Sequence, residues 1–181
     1  MVDTSKKIFV TNKMEKMDKK KLMETVVITG TRDLLLETLT KIGCQYELAE
    51  KEDDNRIFFS YQGEHFFVDA TNDWKYIQIW DTFWGSVELY DIDEFSRLKQ
   101  AVNGSNLNNS VTTIYTINEE GNTIDVHSKS VILFVYGIPH IEDYLKTELN
   151  DFFQAHQFVK LEMTKLREKM QQFHCDGVFF S

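Results

Sequence analysis

Proline and cysteine are scarce in this chain of 181 residues, which has one proline and two cysteines. Cys44 and Cys175 stand in unrelated contexts, so they form neither a disulfide framework nor a CxxC pair, and we expect two reduced thiols. With a single proline there is no hinge-like linker between two parts of the chain. The length suits one domain that buries a core without disulfides or metals.

Long apolar runs are also missing. No stretch approaches the roughly 20 apolar residues of a membrane span, and the first 21 residues contain no apolar block of a secretory signal. We therefore expect a cytoplasmic protein that does not enter a membrane.

Familiar catalytic motifs are absent too. The chain has no GxSxG elbow, no GxxxxGK[ST] phosphate loop, no GxGxxG and no HExxH. Its five histidines lack metal-ligand spacing, and the sequence His174-Cys175-Asp176 lies too close to the end of the chain to favour a nucleophilic site. We expect a protein that is not an enzyme and that holds no cofactor and no metal.

Charge divides the chain into two parts. Residues 1–30 contain seven lysines and four acidic residues, whereas residues 31–181 contain 13 basic and 25 acidic residues, a net charge of -12. So acidic a domain repels phosphate backbones, which disfavours nucleic-acid binding. We predict a lysine-rich extension over residues 1–30, with a possible short helix at residues 14–25, and one domain over residues 31–181.

The first half of that domain predicts a helix followed by three strands. Thr31 can cap a helix with apolar residues at helical spacing, and Gly43 suits its left-handed end. Alternating apolar residues then predict antiparallel strands at residues 57–61, 66–70 and 76–82. Gln62-Gly63 is typical of a tight turn between the first two strands.

A second helix is predicted from Asp91, where Asp91 and Glu94 form a capping box, to Asn103-Gly104. The aspartates and glutamate at its start are therefore interpreted as capping residues. Strands at residues 111–117 and 123–128 follow. The apolar run at residues 131–136 alternates out of phase with the second of these strands, which predicts a bulge near residues 128–130.

The last predicted element is a long helix over residues 139–173. Its apolar stripe has heptad-like spacing and consists of Leu149, Phe152, His156, Val159, Met163, Leu166 and Met170. A helix of that length spans about 52 Å, longer than the roughly 40 Å diameter of a compact chain of this size, so it should bend, break or overhang. The stripe then needs cover, either from the chain itself or from a second copy in a homodimer.

His156 allows two interpretations within this stripe. We favour an exposed ring at a shallow position, whereas a buried neutral ring would create a pH-sensitive contact.

Aromatic residues are abundant, with 14 Phe, 7 Tyr and 3 Trp. Tyr76, Trp80, Phe83 and Trp84 form a cluster in which Tyr76 and Trp80 share one face of a strand and the other two follow in a loop. Two interpretations remain open. The cluster either packs under a helix or forms an exposed surface that binds a peptide of a partner protein.

Taken together, the pattern predicts an α+β fold with an antiparallel sheet of about five strands, in the order α-β-β-β-α-β-β-α. The segments that carry this order resemble the bacterial YbjN family, and they include RIFFSYQGEHFFVDA (56–70), YIQIWDTF (76–83), DIDEFSRLKQAVNGSN (91–106) and VTTIYTINEEGNTIDVHSKSVILF (111–134). Through that family, whose members are often labelled sensory transduction regulators, the chain is similar to class I type III secretion chaperones. The resemblance implies a homodimer that binds a client protein.

Overall fold

The computed structural model describes residues 30–51 and 54–176, with side chains as far as residue 170. Its elements, in chain order, are α1 Thr31–Lys41, β1 Tyr46–Leu48, β2 Arg56–Tyr61, β3 Glu64–Asp69, β4 Tyr76–Glu88, α2 Ile92–Asn108, β5 Thr112–Asn118, β6 Thr123–Leu133 and α3 Ile141–Asp176. The possible helix at residues 14–25 lies outside the described residues.

All neighbouring strands are antiparallel, and they form one sheet in the order β1-β2-β3-β4-β6-β5. The predicted α+β class with an antiparallel sheet is confirmed. The sheet has six strands rather than about five, because the short strand β1 at Tyr46–Leu48 pairs with the edge of β2. None of the helices in the described residues is long and apolar enough to cross a membrane.

The helix starts follow capping rules only in part. Asp91 caps α2 as predicted, because its carboxylate accepts a hydrogen bond of 2.8 Å from the backbone N–H of Glu94. Thr31 does not cap α1, and that prediction is wrong. The N-cap is Gly30, without a side-chain hydrogen bond, and Thr31 is buried in the first turn.

Two of the predicted turns show their expected backbone. Gly43 follows α1 with φ of +81°, a left-handed conformation that glycine adopts at little cost. Gln62 and Gly63 join β2 to β3, and their φ values of +50° and +91° fit a type I′ turn.

α2 continues to Asn108, so the predicted end at Asn103-Gly104 is wrong. Gly104 instead lies where α2 meets α3, and a Cβ atom there would lie 3.3 Å from the ring of Phe158. Glycine therefore permits close packing of the two helices at this position, and that tertiary contact outweighs its poor helix propensity.

The predicted bulge near residues 128–130 is wrong as well. β6 runs without interruption, and its inward residues keep one phase from Ile124 and Val126 to Ile132 and Phe134. The prediction assumed that Val131 and Leu133 face the core because they are apolar, but both point away from it. The irregularity lies in the neighbouring strand β4, where the register shifts between Asp81 and Gly85.

The helices cover one face of the sheet and create a core with two adjoining parts. One part joins α1, β2, β3 and the first half of α3, and it includes Leu35 and Phe152. The other joins α2 to the far ends of β4 and β6, and it includes Leu98 and Met163. α3 crosses both parts, which explains the length of its buried stripe.

α3 is a single helix of 36 residues, about 54 Å long. Its start at Ile141 is two residues later than predicted, because Pro139 and His140 lie before the first turn. Of the three predicted outcomes, the helix overhangs. Arg167 still forms a salt bridge with Glu94 of α2, and beyond it Met170 is 45% exposed.

Candidate functional site

The face of the sheet opposite the helices carries three aromatic side chains at one register level, which we call the aromatic row: Phe58, Phe67 and Trp80. Phe67 pairs with both of the others across the strands. Its ring centroid lies 6.0 Å from Phe58 and 5.9 Å from Trp80, and it is nearly parallel to the indole. Lys129 extends the same level, with Nζ 5.4 Å from the indole centroid. The row is an apolar ridge across three strands, and Lys129 of β6 borders it.

Exposed apolar residues continue from this row toward one end of the sheet. Tyr76 pairs with Leu133, and they are each 42% exposed, while Val131 is 53% exposed. Trp74, in the loop before β4, lies 5.7 Å from Tyr76 and is 52% exposed. The surface formed by the aromatic row and these four residues is called the open face.

The charged residues around the open face nearly cancel. By register, these are Glu47, Arg56, Asp69 and Lys129, two acidic and two basic residues, while Glu88 and Asp125 lie on the same side of the sheet toward its other end. The domain as a whole has a net charge of -12 over residues 31–181. The open face is therefore an apolar and almost neutral surface on a strongly acidic domain.

A bulge in β4 adjoins the row. Asp81 pairs with Ser128 and Gly85 pairs with Val126, so three residues of β4 oppose His127 alone. Phe83 lies at the centre of the bulge with φ of +62°, an unusual conformation for an aromatic residue. Two extra residues leave the alternation unchanged, so β4 keeps the same inward phase on both sides of the bulge.

His127 holds the bulge from the sheet side. Its Nδ1 accepts a hydrogen bond of 3.2 Å from the backbone N–H of Phe83, and the two rings meet edge to face at 4.7 Å. Nε2 must then carry the proton of the neutral ring and donates it to Thr116 Oγ1 at 2.8 Å. Burial lowers the pKa of His127, while the neighbouring Asp125 raises it.

Trp84, the next residue of the bulge, points to the helix side. Its indole stacks on the ring of His156 at 4.1 Å, and its Nε1–H donates a hydrogen bond of 3.0 Å to Ser128 Oγ. The bulge therefore places Phe83 against a histidine on one face of the sheet and Trp84 against a histidine on the other.

Beneath Trp84, Asp81 and His156 form a buried pair. Asp81 Oδ2 lies 3.8 Å from His156 Nε2, the side chains are 2% and 4% exposed, and neither atom has a hydrogen-bond partner among the described residues. Burial raises the pKa of Asp81 to about 7, with a smaller contribution from Glu64 that also raises it and one from Lys160 that lowers it. Burial lowers the pKa of His156 to about 4, and Lys160 lowers it further.

These values indicate an uncharged pair. The separation of 3.8 Å is too long for a hydrogen bond, and two charges without further partners would be costly at this depth. We infer that the pair holds one proton on Asp81 between the two pKa values.

The four residues of the sequence-predicted cluster do not form one surface. Tyr76 and Trp80 belong to the open face, Phe83 is 69% exposed beside His127, and Trp84 packs on the helix side. The prediction that Phe83 and Trp84 lie in a loop is wrong, because β4 continues to Glu88.

The predicted stripe of α3 is buried within the chain as far as Met163. Five of its residues are at most 5% exposed: Leu149, Phe152, His156, Val159 and Met163. Leu166 is half-buried, and Met170 lies on the overhang. The favoured interpretation of His156 as an exposed ring is wrong. The described residues of one chain already cover most of the stripe, so the stripe does not require a second copy. The homodimer stays a prediction.

Sequence reasoning missed several residues of this region. Asp81 shares the inward phase of Ile77 and Ile79, so a carboxylate at a core position was a signal that the alternation already contained. Phe58 and Phe67 alternate with core residues in their strands, which places them on the opposite face by the same rule. Ser128 and His127 gave no such signal, since the irregularity that surrounds them lies in another strand.

A cleft of about 1030 Å³ lies at the β1 edge of the sheet, and its lining includes Cys44, Tyr46, Ser60, His65 and Phe67. Ser60 Oγ and His65 Nδ1 are 2.9 Å apart there. Burial raises the pKa of Cys44, which favours the unreactive thiol over the thiolate.

No family model and no curated protein matches the chain. Among solved structures, the chain is similar to the crystal structure of YbjN from E. coli, a candidate transcription regulator. The TM-score is 0.45, with 11% identical residues, and the match covers 82% of this chain and 97% of that one.

Proposed function

We propose that the chain is a non-enzymatic protein-binding module of the secretion-chaperone-like kind, which holds an extended apolar segment of a client protein on its open face. The observation that carries this proposal is the open face itself. Its apolar side chains are contiguous in the register of the sheet, and no described helix covers them.

The chemistry of the open face defines the segment that it fits. Large exposed apolar patches on soluble domains commonly mark interaction sites, and aromatic residues contribute much of the contact area in such sites. Because acidic and basic residues balance on this face, it gives no preference to a charged segment. The client segment should therefore present aliphatic and aromatic side chains and little charge.

The stacked rings favour binding by limiting its entropic cost. Phe67 and Trp80 are held nearly parallel before any partner arrives, so few rotamers are lost when a segment lies against them. A second copy of the chain fits this face less well, since two domains of net charge -12 would repel each other.

A defined peptide tests the proposal. A fluorescent peptide of about ten residues, containing leucine and phenylalanine separated by serine, matches the width of several strands. Its affinity is measured by anisotropy for the full chain, for Val131→Lys and for Leu161→Lys. Val131 is 53% exposed on the open face, and Leu161 is 52% exposed on α3, which makes Leu161→Lys a matched control.

We expect Val131→Lys to weaken binding at least about tenfold, a loss of roughly 1.4 kcal/mol, and Leu161→Lys to leave it unchanged. Trp80→Ala should weaken binding as well, because it removes one ring of the row. Sedimentation of the free protein reports whether a second copy takes the face instead. Equal affinity for the chain and for Val131→Lys would contradict the proposal.

A second candidate function is a regulator that responds to a small ligand, and the cleft at the β1 edge supports it. The cleft combines apolar walls with a few polar groups, as ligand sites do. A thermal-shift screen against common metabolites tests this alternative, with His65→Ala as the variant that should abolish a hit. A screen without any stabilising compound, or a hit that His65→Ala retains, would count against it.

A further inference from the structure

β5 is the outermost strand of the sheet on the β6 side, and its free edge carries one built-in hydrogen-bond partner. The backbone N–H of Thr113 donates to Asn106 Oδ1 at 2.7 Å, and Asn106 Nδ2 donates to the carbonyl of Thr113 at 2.9 Å. The side-chain amide of Asn106 thus bonds Thr113 as a neighbouring strand would. No other residue of β5 has such a partner on the free edge among the described residues.

Two further residues present the same groups without a partner. In an antiparallel pair, alternate residues direct their backbone groups to the same side. Thr113 directs its N–H and carbonyl away from β6, so Tyr115 and Ile117 do as well. No described group bonds these four backbone atoms, and β5 contains no proline, lysine or other charge that would protect an edge.

We propose that the free edge of β5 binds an extended, lysine- or arginine-bearing segment of a partner protein, which adds to the sheet as a seventh strand at Tyr115 and Ile117. The backbone supplies up to four hydrogen bonds at these two residues. The side chains of Tyr115 and Ile117, 36% and 58% exposed, supply an apolar border next to α2.

The charge around the end of the edge selects a basic segment. Glu119 and Glu120 follow β5 directly, and Glu88 lies two strands away at the level of Asn118, a distance of about 10 Å. All three are exposed, and none forms an ion pair with a described residue. A lysine or arginine in the added strand would lie within a Debye length of these carboxylates and would be attracted by them.

A second copy of the chain lacks that complementarity. Residues 112–122 contain no lysine or arginine, so a second β5 strand would bring no neutralising charge to Glu119 and Glu120. The edge is also separate from the open face, so this inference extends beyond the proposed function and can fail or succeed independently of it.

The probe is a synthetic peptide of about eight residues that alternates lysine with valine, a typical strand length. The comparison peptide replaces each lysine with glutamate. Backbone amide signals of the labelled full chain are followed by NMR, and hydrogen exchange is measured at Tyr115 and Ile117. Thr113 serves as an internal reference, because its amide is bonded to Asn106 with or without a peptide.

We expect the lysine peptide to shift both edge amides and to slow their exchange at least about tenfold, while the glutamate peptide binds about tenfold more weakly or not at all. If both amides are already protected in the free chain, the edge is occupied by the chain itself or by a second copy, and the proposal is overturned. Equal binding of the two peptides overturns it too.

Two variants test the geometry and the charge separately. Ile117→Pro removes a donor on the free edge and no hydrogen bond to β6, so it should weaken the lysine peptide about tenfold while the strand pairing persists. Glu120→Lys should weaken it as well, whereas Asp73→Lys, the same charge change at the opposite end of the sheet, should not. Unchanged affinity in Glu120→Lys refutes the proposal even if Ile117→Pro fails to fold.

Discussion

Replacing Asp81 with asparagine should change how the stability of the protein depends on pH. The folded state raises the pKa of Asp81 from 3.8 to about 7. A carboxyl group whose pKa is raised on folding stabilises the folded state at low pH, and this contribution is lost as the pH rises from about 4 to about 7. The asparagine side chain of Asp81→Asn cannot titrate, so the variant lacks this loss.

The magnitude follows from the shift. About three pKa units correspond to at most about 4 kcal/mol, so the free energy of unfolding of Asp81→Asn, relative to the unaltered chain, should rise by up to that amount between pH 4 and 7. The contribution of His156 to stability changes with pH in the opposite direction. Its pKa is lowered from 6.5 to about 4, so its stabilising contribution is present above pH 6.5 and is lost as the pH falls to 4.

The two contributions cancel in the unaltered chain over much of this range, because the pair holds one proton in both the folded and the unfolded state. His156→Gln removes only the second contribution. Its stability relative to the unaltered chain should therefore rise as the pH falls from 6.5 to 4, by up to about 3 kcal/mol. The opposite slopes of the two variants would show that each side chain is uncharged in the folded state when its partner has been removed.

Urea denaturation at half-unit steps between pH 4 and 7 measures these slopes, with the fluorescence of Trp84 as the signal in a chain where Trp74 and Trp80 are replaced by phenylalanine. A His156 ring that stays charged in the folded Asp81→Asn variant predicts a different result. The stability of that variant relative to the unaltered chain would then change little between pH 4 and 6.5, and that result would refute the reasoning.

Three further predictions concern stability at neutral pH. Asn106→Ala removes both hydrogen bonds to Thr113 and should cost about 1 to 3 kcal/mol in urea denaturation, with faster exchange of the Thr113 amide; slow exchange would contradict it. Ser128→Ala leaves the indole N–H of Trp84 without its acceptor and should cost about 1 kcal/mol, seen as a lower Tm; an unchanged Tm would be inconsistent with that bond. Phe152→Ala, at a fully buried site, should cost about 3 to 5 kcal/mol, and a loss below about 1 kcal/mol in calorimetry would place the ring outside the core.

Much of the strand pattern could be predicted from local alternation. The turn at Gln62-Gly63 and the strands on either side were predicted correctly, because a hairpin depends on turn residues and on a period of two, both of which are local. The capping of α2 by Asp91 is local in the same way. Thr31 shows the limit of that reasoning, since a residue able to cap a helix can also be buried in its first turn.

The errors share a physical cause. The end of α2 depends on the contact between Gly104 and Phe158, two residues far apart in the chain. The bulge was assigned to β6 because Val131 and Leu133 are apolar, although they belong to the open face. Neither the partner of a glycine nor the face that a helix will cover can be deduced from the spacing of residues within one element.

The sequence alone determined the α+β class, the antiparallel order, the capped second helix and a last helix longer than the domain, because all of these follow from spacing and turn chemistry. Only the tertiary structure decided which face the helices cover, and hence that Trp80 remains on the open face while Trp84 is packed against His156. A bulge of two extra residues makes that separation, and it depends on the register between β4 and β6, which only the assembled sheet defines.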